Sequence, residues 1–302
     1  MVTFNFNSTL YQVPTVWDEL TSAQFISLVR QINNFNSGNI SLDDCRCLWI
    51  LDICGINTLN VSKKSSVDLL SSIISIVDRV NFFSRYNSGA ALGGMSSAPR
   101  TLLEKYDASL LTPTPEITYA QRLQPSLELD LCFAHNLIPY IGDVAGWTPD
   151  TINAGTFLSC LDLSETISQN HDATYDIVSR LYCKSENWAH DLETSTVEAV
   201  LINFQAYCKY LFTRTRFRLL FSKSCKSRST MKVATNLDQM YSLCKRGYGS
   251  PAELEKCSIL HYFTFLLNEL FESVRKLHAQ GMSVVEIADK TNLTVEEVSS
   301  LC

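Results

Sequence analysis

Residues 13–35 read VPTVWDELTSAQFISLVRQINNF, and this stretch specifies how the first helix begins. Thr21 is a favourable N-cap, and Gln24 follows it by three positions, which is the spacing of a capping box. Leu20 and Phe25 flank the cap at the two positions that form a hydrophobic staple. The apolar residues of the helix recur at helical spacing, and they are Phe25, Leu28, Val29 and Ile32. The stretch therefore predicts a helix with one buried face, and it indicates no chemistry.

A short β-hairpin is predicted ahead of this helix, over residues 2–13. Val2, Phe4 and Phe6 alternate with polar residues, as in a strand with one buried face. The dipeptide Asn-Ser at 7–8 is a plausible turn, and TLYQV is the return strand. Pro14 then ends the strand.

Helix signals of the same kind recur along the chain. Ser41 and Asp44 predict the start of a second helix, and Gly55 predicts its end. A third helix is predicted over residues 66–83 from its apolar periodicity. Beyond it the composition changes, because residues 84–126 are rich in Ser, Gly and Pro and predict a loop or linker with a helical turn near 100–110.

The second half of the chain is also predicted to be helical. Residues 127–141 fit either a strand or a buried segment. Two short helices are predicted over 157–169 and 172–183, and a long helix over 195–221. The expected buried side of the long helix consists of Val197, Val200, Leu201, Phe204, Tyr207, Cys208, Leu211 and Phe212. Another helix of about a dozen residues follows, and Pro251 then predicts the first position of a helix through Gln280.

These signals together predict a mainly α protein, a helical bundle with a short N-terminal β-hairpin and a small helical C-terminal cap. Four segments are expected. Residues 1–83 form the hairpin and a three-helix unit, and 84–126 form the loop or linker. Residues 127–280 form a helical domain, and 281–302 form a tail that resembles a helix-turn-helix.

Charge is the most distinctive property of the composition. The chain has 302 residues, 46% of them hydrophobic, and a formal net charge of −6, which does not fit a general binder of polyanions. Residues 143–198 hold ten acidic residues and only two of Lys and Arg. Residues 199–237 hold eight basic residues and no acidic one. The two segments could therefore attract one another or a charged partner.

The sequence predicts no catalytic, cofactor-binding or metal-binding site. The five histidines are dispersed, and no phosphate-binding glycine loop is present. Cys45 and Cys47 are two positions apart, so on a helix they point to different sides and are poorly placed to share a metal. A hydrolase site assembled from distant residues, with His171 or His190 beside a carboxylate, stays open as a third hypothesis.

The cysteines and the apolar runs indicate the compartment. Eleven scattered cysteines, an odd number, indicate reduced thiols in a reducing environment. No basic residue precedes Arg30, so no secretion signal is expected. No apolar run approaches the length of a transmembrane helix, and no membrane partner is expected.

The candidate partner-binding residues lie in the basic segment. They are Arg214, Arg216, Arg218, Lys223, Lys226 and Arg228. Such a patch can contact phosphates, so a nucleic-acid-binding module that uses residues 209–232 is the alternative hypothesis. The interleaved aromatic residues suit helix packing better than base stacking. We therefore favour an electrostatic match to the acidic segment or to another subunit.

The tail has a helix start at Ser283 with Glu286 and a second at Thr294 with Glu297. In a helix-turn-helix the second helix would read DNA, which requires hydrogen-bond donors and a positive field. Residues 294–302 carry two glutamates and no Lys or Arg. A cap for packing or partner contact is therefore favoured.

Four stretches resemble a family of phage and prophage tail assembly or tail structural proteins from Bacteroides-like hosts. They are FNFNSTLYQVPTVWDELTSAQF at 4–25, LWILDICGI at 48–56, FLSCLDLSETISQNHDATYDIVSRLYC at 157–183 and FRLLF at 217–221. The resemblance implies a non-enzymatic structural or assembly protein with no catalytic residues. Its partners would be other phage structural or assembly proteins or further copies of itself, in the host cytoplasm during assembly or in the virion.

Overall fold

The computed structural model describes residues 1–57, 59, 63–87, 114–117, 152–170, 172–221 and 236–302. The chain divides into two compact units, Met1–Ser126 and Leu127–Cys302. The predicted mainly α class is confirmed. The segment 127–141, for which the sequence left a strand and a buried segment open, lies outside the described residues.

The first unit begins with the predicted hairpin. Strands β1 (Val2–Phe6) and β2 (Thr9–Val13) pair antiparallel, with Phe6 opposite Thr9. Asn7 and Ser8 both have positive φ, 49° and 63°, as a tight type I′ turn requires. Phe4 and Phe6 are buried on one face of the hairpin, as the alternation predicts.

Three helices follow, α1 (Ser22–Asn36), α2 (Leu42–Ile53) and α3 (Lys63–Val77). The predicted capping boxes at Thr21 and Ser41 are both present. The third helix ends earlier than predicted. The N–H groups of Arg79 and Val80 donate to carbonyls three residues back, and this tighter hydrogen bonding closes the helix at Val77.

Aromatic rings fill the core of the first unit. Trp17 meets Phe82 edge to face, with ring centroids 5.0 Å apart, and Phe82 meets Phe83 at 5.3 Å. Trp49 lies against both phenylalanines, and its indole N–H donates to the carbonyl of Gln24 at 3.0 Å. These contacts fix α1 and α2 against the chain that follows α3.

A second pair of strands corrects part of the predicted loop over 84–126. Strands β3 (Ser84–Asn87) and β4 (Thr114–Ile117) pair antiparallel, with Ser84 opposite Ile117. Ladder hydrogen bonds between distant segments form here although the composition favours turns. The rest of that segment, including the helical turn predicted near 100–110, lies outside the described residues.

The regular elements described in the second unit are helices, and an isolated bridge joins Asn153 to Ser258. Its helices are α4 (Ala154–Thr166), α5 (Asp172–Leu181), α6 (Thr194–Arg214), α7 (Arg218–Phe221), α8 (Asn236–Lys245), α9 (Pro251–Lys256), α10 (Ile259–Ala279), α11 (Val284–Thr291) and α12 (Val295–Leu301). The helices predicted over 157–169 and 172–183 are confirmed as α4 and α5.

The prediction of a single helix over 195–221 is wrong, because the helix ends at Arg214 and a new one begins at Arg218. Thr215 takes an extended conformation. Its hydroxyl donates to the carbonyl of Leu211 at 2.7 Å and accepts from the N–H of Phe217 at 3.1 Å. The Thr side chain thus satisfies backbone groups that the helix would otherwise pair, and α7 begins in a new direction.

The prediction of a single helix from Pro251 is also wrong, because α9 ends before Cys257 and α10 begins after it. Cys257 is extended, and its carbonyl accepts from the N–H of Ala154 at 2.9 Å. The N–H of Ile259 donates to the carbonyl of Ile152, also at 2.9 Å. This short antiparallel bridge with a remote segment replaces the helical hydrogen bonds, and Ser258 then caps α10.

The tail folds onto the end of α10 as the predicted helical cap. Both predicted capping boxes are present, and Asn292 adopts the left-handed conformation between α11 and α12. The buried residues at this junction are Val274, Ile287, Ala288, Leu293 and Val298. The tail therefore shares a hydrophobic cluster with α10 and belongs to the second unit.

Candidate functional site

The candidate site is a corner of the second unit where α6 ends and α7 begins. Arg214 is the last residue of α6, Arg216 lies in the connection, and Arg218 is the first residue of α7. All three side chains are exposed. We call these three residues the arginine corner. The other predicted partner-binding residues, Lys223, Lys226 and Arg228, lie outside the described residues.

Aromatic packing holds the arginine corner in place. Phe217, between two of the arginines, is buried, and its ring centroid lies 5.6 Å from that of Phe263 on α10. Phe221 packs against both Phe263 and Phe212, with centroid distances of 5.5 and 4.0 Å. The aromatic residues on both sides of the helix break therefore hold the backbone of the arginine corner against the core.

Arg216 is oriented more tightly than its neighbours. Its Nη2 donates to the hydroxyl of Thr264 at 3.0 Å. Its guanidinium carbon lies 5.3 Å from the centre of the Phe217 ring, within cation–π range. Both contacts leave the positive charge unneutralised.

The expected pairing with the chain's own acidic segment is not seen at the arginine corner. Among residues 152–170, 172–221 and 236–302, no salt bridge joins Arg214, Arg216 or Arg218 to a carboxylate. Lys209, one to two turns back on α6, is exposed as well. The corner thus presents a cluster of positive charge that these parts of the chain leave uncompensated.

Three aromatic residues from the expected buried side of the long helix pack in the interior of the second unit. Phe204 and Tyr207 are buried, and Phe212 is half-buried. All three pack against Phe157, with centroid distances of 5.7, 6.0 and 6.4 Å. All three support the fold, and the buried rings of Phe204 and Tyr207 are not accessible for stacking bases.

The histidines described by the structure show no catalytic arrangement. His190 stacks on Tyr175 with centroids 4.3 Å apart. The Nδ1 of His261 lies 3.0 Å from the hydroxyl of Ser258, its own helix cap. His171, the other half of the hydrolase hypothesis, lies outside the described residues. None of the three described histidines, His190, His261 and His278, forms an ion pair with a carboxylate among the residues that are described.

The thiols and carboxylates form no metal site where the structure describes them. No group of three or more His, Cys, Asp or Glu side chains among those residues is arranged to hold an ion. Burial raises the pKa of the Cys45 thiol to about 12, with nearby Arg46 acting against the rise. Burial also raises the pKa of Cys47, so neither thiol of this pair is a ready ligand or nucleophile.

The tail presents an acidic and apolar surface. Val295, Glu296, Ser299 and Ser300 on α12 are exposed. A reading helix needs donors for base edges and phosphates, and these side chains carry no positive charge.

Sequence reasoning missed a second exposed surface, which lies on α3. The apolar periodicity predicted the helix but did not distinguish a buried face from an exposed one. Val67, Leu70 and Ile74 are all exposed. The signal was available, because these three positions fall off the stripe formed by Leu69, Ile73 and Ile76.

Comparison of the chain with protein families, curated proteins and solved structures found no match. Among the described residues, no helix combines the length and apolar character needed to cross a membrane.

Proposed function

We propose that the protein is a non-enzymatic structural or assembly protein of a phage particle, acting in tail or virion assembly by docking a partner on the arginine corner. The observation that supports this is three exposed guanidinium groups within five residues, with no carboxylate paired to them in the described part of the chain. The phage context rests on the resemblance of the sequence stretches, and the docking site rests on the geometry.

The partner surface that suits the corner is acidic and carries oriented carboxylates. Guanidinium groups bind carboxylates in a bidentate manner, which adds directional selectivity to the charge attraction. Exposed charges act mainly on the rate of association and on the choice of partner. Because the corner is anchored by Phe217 and Thr264, little backbone ordering is required when the partner binds.

Nucleic-acid binding is the competing function, favoured by the same uncompensated arginines. Phosphates would replace carboxylates, and the affinity would fall steeply with salt. Single-strand binding uses exposed rings, whereas Phe217 is buried and Phe212 is half-buried. Phe221 is 37% exposed, but its ring packs against Phe212 and Phe263.

The test is co-purification of the full chain with the products of the neighbouring phage genes. The variant is R214E/R216E/R218E, and the matched control is K184E/K256E/R275E, which reverses three exposed charges elsewhere in the second unit. We expect the arginine-corner variant to recover about tenfold less partner or lower, and the control to recover about as much as the wild type.

Two results would overturn the proposal. One is a complex that forms equally well with the arginine-corner variant. The other is steep salt-dependent binding to single- or double-stranded DNA, lost in the same variant, without any protein complex. That second result would establish the nucleic-acid alternative.

A further inference from the structure

The solvent-facing side of α6 changes from acidic to basic along the helix. Its residues recur every three or four positions, and they are Thr194, Glu198, Ile202, Gln205, Lys209 and Thr213. Four of them are exposed, whereas Glu198 and Ile202 are half-buried. We call this side the charged face of α6. The helix has 21 residues, so the two ends of the face lie about 30 Å apart.

The charges just beyond α6 continue the same order. Asp191 ends a short 3₁₀ turn before the helix, Glu193 is the N-cap residue, and both are exposed. Arg214 and Arg216 of the arginine corner lie at the other end. Residues 191–198 therefore carry three carboxylates and no Lys or Arg, and residues 209–216 carry three basic groups and no carboxylate.

Opposite charges near the two ends do not cancel this order. At the acidic end, residues 172–198 hold six acidic residues against only two basic ones, Arg180 and Lys184. At the basic end, the arginine corner packs on α10. The two carboxylates of α10 pair with basic residues of their own, Glu269 with Arg246 and Glu272 with Lys276.

The two ends of the charged face do not neutralise each other within one chain. The screening length in physiological salt is about 8 Å, well below the length of the helix. A partner that matches both ends must therefore present basic and acidic groups in the reverse order and at the same separation. A second copy of this chain, turned end for end, presents them in that way.

One register of two copies brings all three charge pairs together. A two-fold axis perpendicular to α6, midway between positions 203 and 204, exchanges Glu198 with Lys209, Glu193 with Arg214 and Asp191 with Arg216. The same axis exchanges Thr194 with Thr213 and Ile202 with Gln205, so uncharged residues meet uncharged residues. A parallel arrangement would instead oppose like charges at both ends.

We propose that a second copy of this chain docks antiparallel on the charged face of α6, with its Asp191 and Glu193 reaching the arginine corner. This pairing rests on the proposed function, because it names the partner of that corner. The contact is isologous, so it closes as a dimer, and the opposed helix dipoles favour the same orientation. Because each exposed ion pair stabilises weakly, the dissociation constant is roughly micromolar or higher and rises with salt.

Sedimentation velocity of the full chain, over a range of protein and salt concentrations, tests the dimer. The variants K209E/R216E and D191K/E198K each oppose like charges at both contacts. Each should raise the dissociation constant by about tenfold or more. The matched control is D289K/E296K, which reverses two exposed carboxylates on α11 and α12 and should leave the dimer unchanged. Circular dichroism checks that every variant is folded.

Mixing the two variants tests the register. In a dimer of K209E/R216E with D191K/E198K, each contact again joins opposite charges, because one copy is acidic at both ends and the other is basic at both ends. The mixture should therefore associate about as tightly as the wild type, although neither variant does so alone. This recovery also shows that the reversed charges, and not a loss of folding, weaken the separate variants.

Three results would overturn the pairing. They are a monomer at every concentration at low salt, a dimer that neither variant weakens, and a mixture of folded variants that stays monomeric. Oligomers that grow beyond the dimer would also overturn it, since a two-fold contact closes. D191K/E198K leaves the arginine corner intact. If it self-associates like the wild type while R214E/R216E/R218E loses the product of a neighbouring gene, the pairing fails and the proposed function stands.

Discussion

The rings of Phe157 and Phe263 meet edge to face, with centroids 5.9 Å apart and planes at 90° to each other. Phe157 lies on α4 and Phe263 on α10, and Phe157 also packs against Phe204 on α6. One fully buried ring therefore joins three helices of the second unit, and the arginine corner is anchored on Phe263 beside it.

Phe157→Ala should destabilise the protein by about 3–5 kcal/mol, because it removes a buried ring and leaves a cavity among its neighbours. Phe157→Leu should cost less, since it fills more of that space. Urea unfolding monitored by circular dichroism measures both changes. Tyr241→Ala is the control, because Tyr241 is 56% exposed. A Phe157→Ala cost no larger than that of the control would contradict this packing.

Ser84→Ala should cost about 1–3 kcal/mol, because Ser84 accepts a hydrogen bond from the buried Arg46. The Nη2 of Arg46 lies 2.8 Å from the Ser84 hydroxyl, and its Nη1 lies 3.3 Å from Asp43. In an Arg46→Met background the same substitution should cost almost nothing, since no buried charge is left without a partner. Equal costs in both backgrounds, measured by denaturant unfolding, would refute this coupling.

The tail should lose stability as the pH falls, through Glu286. Hydrogen bonds from the backbone N–H of Ser283 and then from its hydroxyl hold the pKa of the Glu286 carboxyl below its ordinary 4.5. A depressed folded pKa stabilises the folded state above the unfolded value, and this contribution disappears as the pH falls through the folded pKa. The stability advantage of wild type over Glu286→Gln should therefore shrink between about pH 6 and pH 3.

Glu286→Gln is a suitable comparison because Gln retains the capping-box acceptor and cannot titrate. All other carboxylates titrate equally in both proteins, so the difference between their unfolding free energies isolates this one group. A difference that stays constant across the pH range would show that Glu286 carries no depressed pKa.

The cysteines should divide into two classes of reactivity. Cys183 and Cys302 are exposed, whereas Cys45 and Cys160 are buried, and burial raises the pKa of each buried thiol to about 12. Because only the thiolate reacts, alkylation near pH 8 should modify the exposed pair about a hundredfold faster or more. Peptide mass spectrometry follows each site separately. The reference is the unfolded protein, in which all four sites should react fast. Equal rates at the four sites in the folded protein would contradict the burial.

The sequence predicted which residues form the candidate site, but it did not predict whether their charges are paired. The spacing of Arg214, Arg216 and Arg218 marked a basic segment, and the structure describes all three as exposed. Whether they pair with carboxylates depends on where distant acidic residues lie, which composition does not specify. The exposed apolar face of α3, with Val67, Leu70 and Ile74, shows the same limit, since the exposure of Leu70 depends on which face the hairpin covers.

The sequence by itself determined where most helices begin, because a capping box such as Thr21 with Gln24 uses hydrogen bonds within four residues of the chain. It also determined the hairpin, whose turn at Asn7 and Ser8 is local. Only the tertiary structure decided that the helix predicted from Pro251 breaks at Cys257. At Cys257 the helical hydrogen bonds give way to a bridge with the chain before Ala154, and no local pattern contains that partner. A local sequence signal predicts a helix end when the backbone N–H and C=O groups there find hydrogen-bond partners within a few residues. When a remote segment supplies those partners instead, the helix ends at a place that the local sequence does not indicate.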